Sequence, residues 1–321
     1  DLLEIPVSAA EVESAPFYHP GENSPEIQYI KERRQALGGS VPRRRSQVSV
    51  PDLPPKESFT KLLGGTEGSV PASTTMAFAR LFRDLLKAGD LGKRIVPILA
   101  DEARTFGMEA LFKQVGIYTP GGQSYEPVDH NLLFSYTERK DGQILQEGIT
   151  ECGSLASTIA SSTSYSTIGE VTVPFFIFYS MFGFQRVGDQ IWAMGDARGR
   201  GFLLGATAGR TTLNGEGLQH QDGHSPLMAA TFPSCLSYDP AYAYEVAILI
   251  EEGLRRMVQE QEDIHYYLTL YNENLEMPAM PEGSKEGILE GMYLLAPAPE
   301  GDGPEIRLLG SGSALPRVRT V

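Results

Sequence analysis

Apolar residues recur at helical spacing at Met76, Phe78, Leu81, Leu85 and Leu86, which predicts a helix capped by Ser73 and ended by Gly89. The run Ile95-Val96-Pro97-Ile98-Leu99 that follows is short, apolar and partly β-branched, the profile of a buried parallel-sheet strand. It empties into the charged Asp101, Glu102 and Arg104, as strands do where a sheet faces a ligand crevice. These three can equally form an internal ion-pair cluster. Small residues over 155–162 predict a closely packed helix, and 171–179 is the most strand-like run of the chain. Helical spacing returns over 182–197 around Trp192. A strand near Phe202, a strand over 230–237, a helix over 242–257, a strand over 264–270 and a strand-like 292–295 complete the pattern. Strands alternating with helices predict an α/β three-layer sandwich with a mainly parallel sheet.

The ends of the chain read differently. Residues 1–70 mix Pro, Glu, Arg and Ser without sustained periodicity and read as an extended linker, with a short helix over 25–36. The α/β domain is expected over 71–298. Residues 299–321 read as a linker followed by the first strand, 305–312, of a further domain, so the chain is expected to be a fragment of a longer polypeptide. The glycine-rich stretch 118–129 reads as a loop that is either a mobile cover or a plain surface excursion.

Charge narrows the partners. Asp plus Glu number 41 against 27 for Lys plus Arg, a formal charge of -14, which argues against nucleic acid and anionic membranes. No run approaches the roughly 18 apolar residues of a membrane span. The two cysteines, Cys152 and Cys235, are too few for a disulfide framework or a zinc site; both read as buried small residues, and a reducing, cytoplasmic setting fits.

One stretch has no apolar face to bury. Residues 209–225, Gly-Arg-Thr-Thr-Leu-Asn-Gly-Glu-Gly-Leu-Gln-His-Gln-Asp-Gly-His-Ser, are either a solvated turn or a site. They lie between two predicted strands, where open α/β sheets hold their ligands.

Five segments carry a specific resemblance: Ala100-Asp101-Glu102-Ala103-Arg104-Thr105-Phe106-Gly107-Met108-Glu109, residues 142–151, Tyr179-Ser180-Met181-Phe182-Gly183-Phe184-Gln185-Arg186, residues 209–225, and Tyr271-Asn272-Glu273-Asn274. Together, from about Ser73 to the C-terminus, they resemble the homodimeric bacterial pyruvate dehydrogenases, the thiamine diphosphate-dependent first component of a multienzyme complex. The resemblance implies a transketolase-like middle domain that binds the aminopyrimidine of the cofactor. It also implies pyruvate as substrate and the lipoyl domain of dihydrolipoyl acetyltransferase as acceptor.

Thiamine chemistry needs a carboxylic acid on the pyrimidine nitrogen N1' and an aromatic wall for the ring. The resemblance puts Glu151 in the first role, among apolar neighbours that favour a shared proton, with Glu147 as competitor; the latter can also be a plain helix N-terminal acid. It puts Phe182 on the wall, with the Tyr179 hydroxyl in reach of substrate. His220 is implied to hold the substrate carboxylate and move protons, a role suited to imidazole, with His224 behind it. Gln221 stands where the family carries an acid. Asp101 and Glu102 match an acidic pair at the site entrance, and 121–137 matches a loop that orders over the reacting centre.

No metal ligands are expected within this chain. The segment Gly301-Asp302-Gly303 imitates a magnesium-diphosphate motif, but no Asn follows it, so it reads as a turn, with magnesium held elsewhere. The missing half of the site must come from a homodimer partner or an upstream domain. Two other functions stay open: a non-catalytic dimerisation or docking fragment, and a related transketolase-type enzyme for another 2-oxo acid.

Overall fold

The computed structural model describes residues 5–36, 44–66, 70–100, 103–213, 215–301 and 303–320. It divides into two units, 1–44 and 45–321. In the first, helix Pro25–Ala36 falls where the sequence predicts one, and it buries none of its residues.

Among the described residues the second unit is built on eight strands: β1 Ile95–Leu99, β2 Ile117–Tyr118, β3 Glu138–Arg139, β4 Leu145–Gln146, β5 Val173–Phe178, β6 Phe202–Ala206, β7 Cys235–Tyr238 and β8 His265–Leu270. Six of them form one sheet in the order β4-β1-β5-β6-β8-β7, and every pairing is parallel. β5, β6 and β8 are buried along their whole length, as parallel strands covered on both faces must be. Side chains alternate between two cores: Val173, Phe175 and Ile177 enter one, Phe176 and Phe178 the other. Helices Thr74–Leu85 and Ala243–Leu254 cover the first face, and helices Glu151–Ser162 and Phe184–Asp196 the second. These are the three layers that the alternation of strands and helices predicts.

Local chemistry explains the helix that opens the domain. The Ser73 hydroxyl accepts from the Met76 amide at 3.1 Å, and the helix lays Phe78 and Phe82 on the sheet, with the Phe82 and Phe175 centroids 4.7 Å apart. Each such buried aromatic is worth about 2–3 kcal/mol of apolar transfer.

Four features differ from expectation. β2 and β3 form a second, two-stranded sheet on either side of the predicted 118–129 loop, where the sequence reading places no strand, because strands this short carry no periodicity. Residues 45–66 pack on the domain, where Phe59 is buried in the first core beside Leu62 and Leu63. Residues 292–295 and 305–312 form no strand. The latter lead into helix Leu315–Val318, and the Gly312 amide donates to the Asp239 carbonyl at 3.0 Å.

Candidate active site

Because all six strands run the same way, their C-terminal ends share one edge. The strand order turns there: the chain passes from β1 to β4 on one side, then crosses to β5 on the other. Such a reversal opens a crevice in the sheet edge. A cavity of about 270 Å³ lies at this edge, lined by Ala100 past β1, Ile177, Phe178 and Tyr179 at the end of β5, Glu151, Phe182, Arg186 and His220. Four sequence-predicted residues, Glu151, Tyr179, Phe182 and His220, thus meet in one cavity from three separate segments.

Each is placed by its own local structure. Glu151 opens helix Glu151–Ser162, whose N-cap Thr150 accepts from the Gly153 amide at 3.3 Å. Glu151 is 7% exposed. Its surroundings are less apolar than the sequence suggests, since Arg186 Nη1 donates to Glu151 Oε2 at 2.9 Å. Glu147 precedes the helix; its Oε1 accepts from Ser157 Oγ at 2.5 Å, and it does not line the cavity.

Phe182 ends the 3-10 turn Ser180–Phe182 directly after β5. The turn can lie close over the strand because a Cβ at Gly183 would meet the Phe178 ring at 2.1 Å. His220 ends a second turn, Leu218–His220, entered through Gly217 at φ 82°, a conformation that favours glycine. Its ring stands nearly perpendicular to Tyr179, centroids 4.7 Å apart, and lies 5.2 Å from Phe182. Tyr179 also meets Phe106 edge-on at 5.4 Å. The aromatic residues therefore fix one another through edge-to-face contacts.

Asp101, Glu102, Asn214 and Asp302 are outside the described residues. His224 has Nδ1 3.3 Å from Asp222 Oδ1 and belongs to a network with Gln185 and Ser225, away from the cavity lining. Asp222 is the buried hub of that network: it accepts from the Ser180 hydroxyl and, at 3.0 and 3.1 Å, from the His224 and Ser225 amides. Burial pushes its carboxyl up, but these hydrogen bonds together outweigh burial and hold it below the ordinary aspartate value. In residues 121–137, Val128 and Leu133 are exposed. Cys235 is buried as expected, whereas Cys152 is exposed.

Two residues were missed by the sequence reading. Arg186 reaches Glu151 and also lies with Cζ 4.0 Å from the Phe182 ring centroid. Its spacing four residues after Phe182 on a predicted helix was the available signal. Glu216 lies 3.5 Å from His220 Nδ1, again four residues away. Among the described residues, no group of three or more His, Cys, Asp or Glu side chains could hold a metal ion, and no helix is long and apolar enough to cross a membrane.

The fold is that of the transketolases. A transketolase from Leishmania mexicana aligns with a TM-score of 0.54 at 14% identity, over 82% of this chain and 32% of that one. A transketolase from Pichia stipitis gives 0.55 at 13%, over 88% and 35%. Sequence places the chain more narrowly, since residues 48–278 match the pyruvate dehydrogenase E1 component middle domain. The pyruvate dehydrogenase E1 component of Pseudomonas aeruginosa is 56% identical over 99% of this chain and 36% of its own length. Those of Escherichia coli K12 and Mycobacterium tuberculosis are 52% and 50% identical over 99% and 98% of this chain. The chain belongs to the pyruvate dehydrogenase E1 component family, and it spans about a third of the length of these curated relatives.

Proposed function

We propose that this chain supplies the pyrimidine-binding wall of a thiamine diphosphate-dependent pyruvate dehydrogenase. The observation that carries the reading is the convergence of a buried carboxylate, Glu151, and an aromatic face, Phe182, on one cavity. A cavity of about 270 Å³ is below the roughly 300–1,000 Å³ of a site that encloses a drug-sized ligand, so it fits one ring of the cofactor. The rest of the cofactor, with its magnesium, then lies on groups outside this chain, in a homodimer partner or another domain. Bound there, thiamine diphosphate supplies a carbon nucleophile for the carbonyl of a 2-oxo acid and accepts the electrons left as carbon dioxide departs.

This chain's own residues then have separable tasks. Glu151 holds a proton between its carboxylate and the ring nitrogen, which keeps the ring in the tautomer that can act as a base. Phe182 sets the plane of the ring. Arg186 covers that face and pairs with Glu151, so a ring stacked on Phe182 has to take its place. Tyr179 and His220 bring a hydroxyl and an imidazole to the same cavity, where they hold the substrate carboxylate and move protons during acetyl transfer to a lipoyl domain. Asp101 and Glu102 serve at the entrance, and 121–137 closes over it. We assign 71–298 as the body of the domain, with 45–66 packed on it, 1–44 as the lead-in, 299–321 as the start of the next, and the cytoplasm as the setting.

In the complete enzyme, Glu151→Gln is expected to lower pyruvate turnover at least a hundredfold while circular dichroism and thermal midpoint stay near wild type. Unchanged turnover would falsify the assignment. Faster turnover of 2-oxoglutarate than of pyruvate by the unmodified enzyme would move the substrate to a larger acid.

A further inference from the structure

A carboxylate stands behind His220 that the proposed reaction does not yet use. Glu216 Oε2 lies 3.5 Å from His220 Nδ1, and the same oxygen accepts from Thr207 Oγ1 at 3.4 Å. Thr207 is buried directly past the end of β6, so the contact ties the His220 loop to the sheet edge. Among the described residues, Nδ1 is buried and has no aligned hydrogen bond, which makes Glu216 the polar group it faces. Tyr179 and Phe182 hold the ring edge-on, and the side chain keeps 17% exposure. Nε2 is then the nitrogen open to the cavity.

A neutral imidazole carries one N–H and one lone pair. A lone pair on buried Nδ1 would face a carboxylate oxygen and be repelled; an N–H there would be attracted. Arg186 and Glu151 line the same cavity but are paired with each other, and Asp222 and His224 face Ser180 and Gln185. We propose that Glu216 is a positioning residue that holds His220 in the Nδ1–H tautomer, so that Nε2 presents its lone pair to the cavity. The inference rests on the reading of His220 as the proton-moving group. A contact of 3.5 Å is longer than a closed hydrogen bond. Catalytic contacts of this kind commonly tighten when the ligand arrives. A carboxylate that fixes the tautomer of a working histidine is a device known from unrelated sites.

Nitrogen-15 spectra of the full chain labelled at histidine, with His220 assigned by His220→Gln, test this directly. The expected pattern at neutral pH in the unprotonated fraction is a pyrrole-type Nδ1 and a pyridine-type Nε2, reversed in Glu216→Ala. An Nε2–H form in the unmodified chain, or no change in Glu216→Ala, overturns the proposal. In the complete enzyme, Glu216→Ala is expected to lower kcat about tenfold or more with KM for pyruvate within about twofold. If the tautomer reverses while kcat holds, the role read for His220 fails and the Glu216 contact stands. If the tautomer does not move while His220→Gln abolishes turnover, Glu216 is wrongly assigned and the role of His220 stands.

Discussion

Arg186 and Glu151 form an ion pair in the lining of the cavity, with Nη1 2.9 Å from Oε2, the Glu151 side chain 9% exposed and the Arg186 side chain 49%. The two come from different helices, Glu151–Ser162 and Phe184–Asp196. The guanidinium at the same time makes a cation–π contact with Phe182, with Cζ 4.0 Å from the ring centroid.

With one partner half in water, this pair is worth about 1 kcal/mol. A double-mutant cycle of Glu151→Gln and Arg186→Met, read by urea unfolding, is expected to give a coupling of that size. Additive effects would show that the two side chains do not interact in solution.

Phe182 carries two contacts at once, Arg186 on its face and His220 at 5.2 Å. Stacking adds about 0.5–1.5 kcal/mol beyond area burial, so Phe182→Ala in the complete enzyme should weaken thiamine diphosphate binding about threefold to tenfold or more. Calorimetric titration with cofactor and magnesium measures this, and an unaltered dissociation constant would remove Phe182 from the ring's wall.

Gly183 is a spatial requirement, because an added Cβ would meet the Phe178 ring at 2.1 Å. Gly183→Ala is expected to cost about 1–3 kcal/mol through overpacking and to displace the turn that carries Phe182. Thermal unfolding reports the first effect and cofactor affinity the second; a variant with wild-type values for both would mean that the Phe178 ring yields freely.

His265, at the start of β8, is fully buried, and burial pushes its imidazole down to about 4. The unfolded chain titrates near 6.5, so between these values the unfolded state binds more protons than the native one and stability falls as pH drops. The loss is about 2 kcal/mol at pH 5 and approaches about 3 kcal/mol near pH 4. His265→Leu should flatten this slope, read as urea midpoints at pH 7.5 and 5; an equal slope in the two proteins would mean that His265 is hydrated in solution.

Much of the domain was readable because burial leaves a periodic mark on sequence. β5 and β8 lie within one or two residues of their apolar runs, and Ser73 caps the helix it precedes. The candidate site residues were legible for a different reason: three matched motifs placed Glu151, Tyr179, Phe182 and His220, and the sheet edge brings all four to one cavity. Part of what failed was short. β2 and β3 are two residues each, too brief for a period of two to appear, and their partner lies across a loop.

By itself the sequence determined the class of fold, the places of strands such as β1, β5 and β8 and four of the residues that line the cavity, since each of these follows from local periodicity or motif. Which side chains touch was decided only by tertiary structure. Arg186 meets Glu151 from another helix 35 residues away, and Thr207 meets Glu216 because β6 ends beside the His220 loop. Those contacts depend on where parallel strands terminate relative to one another, which is a property of the assembled sheet.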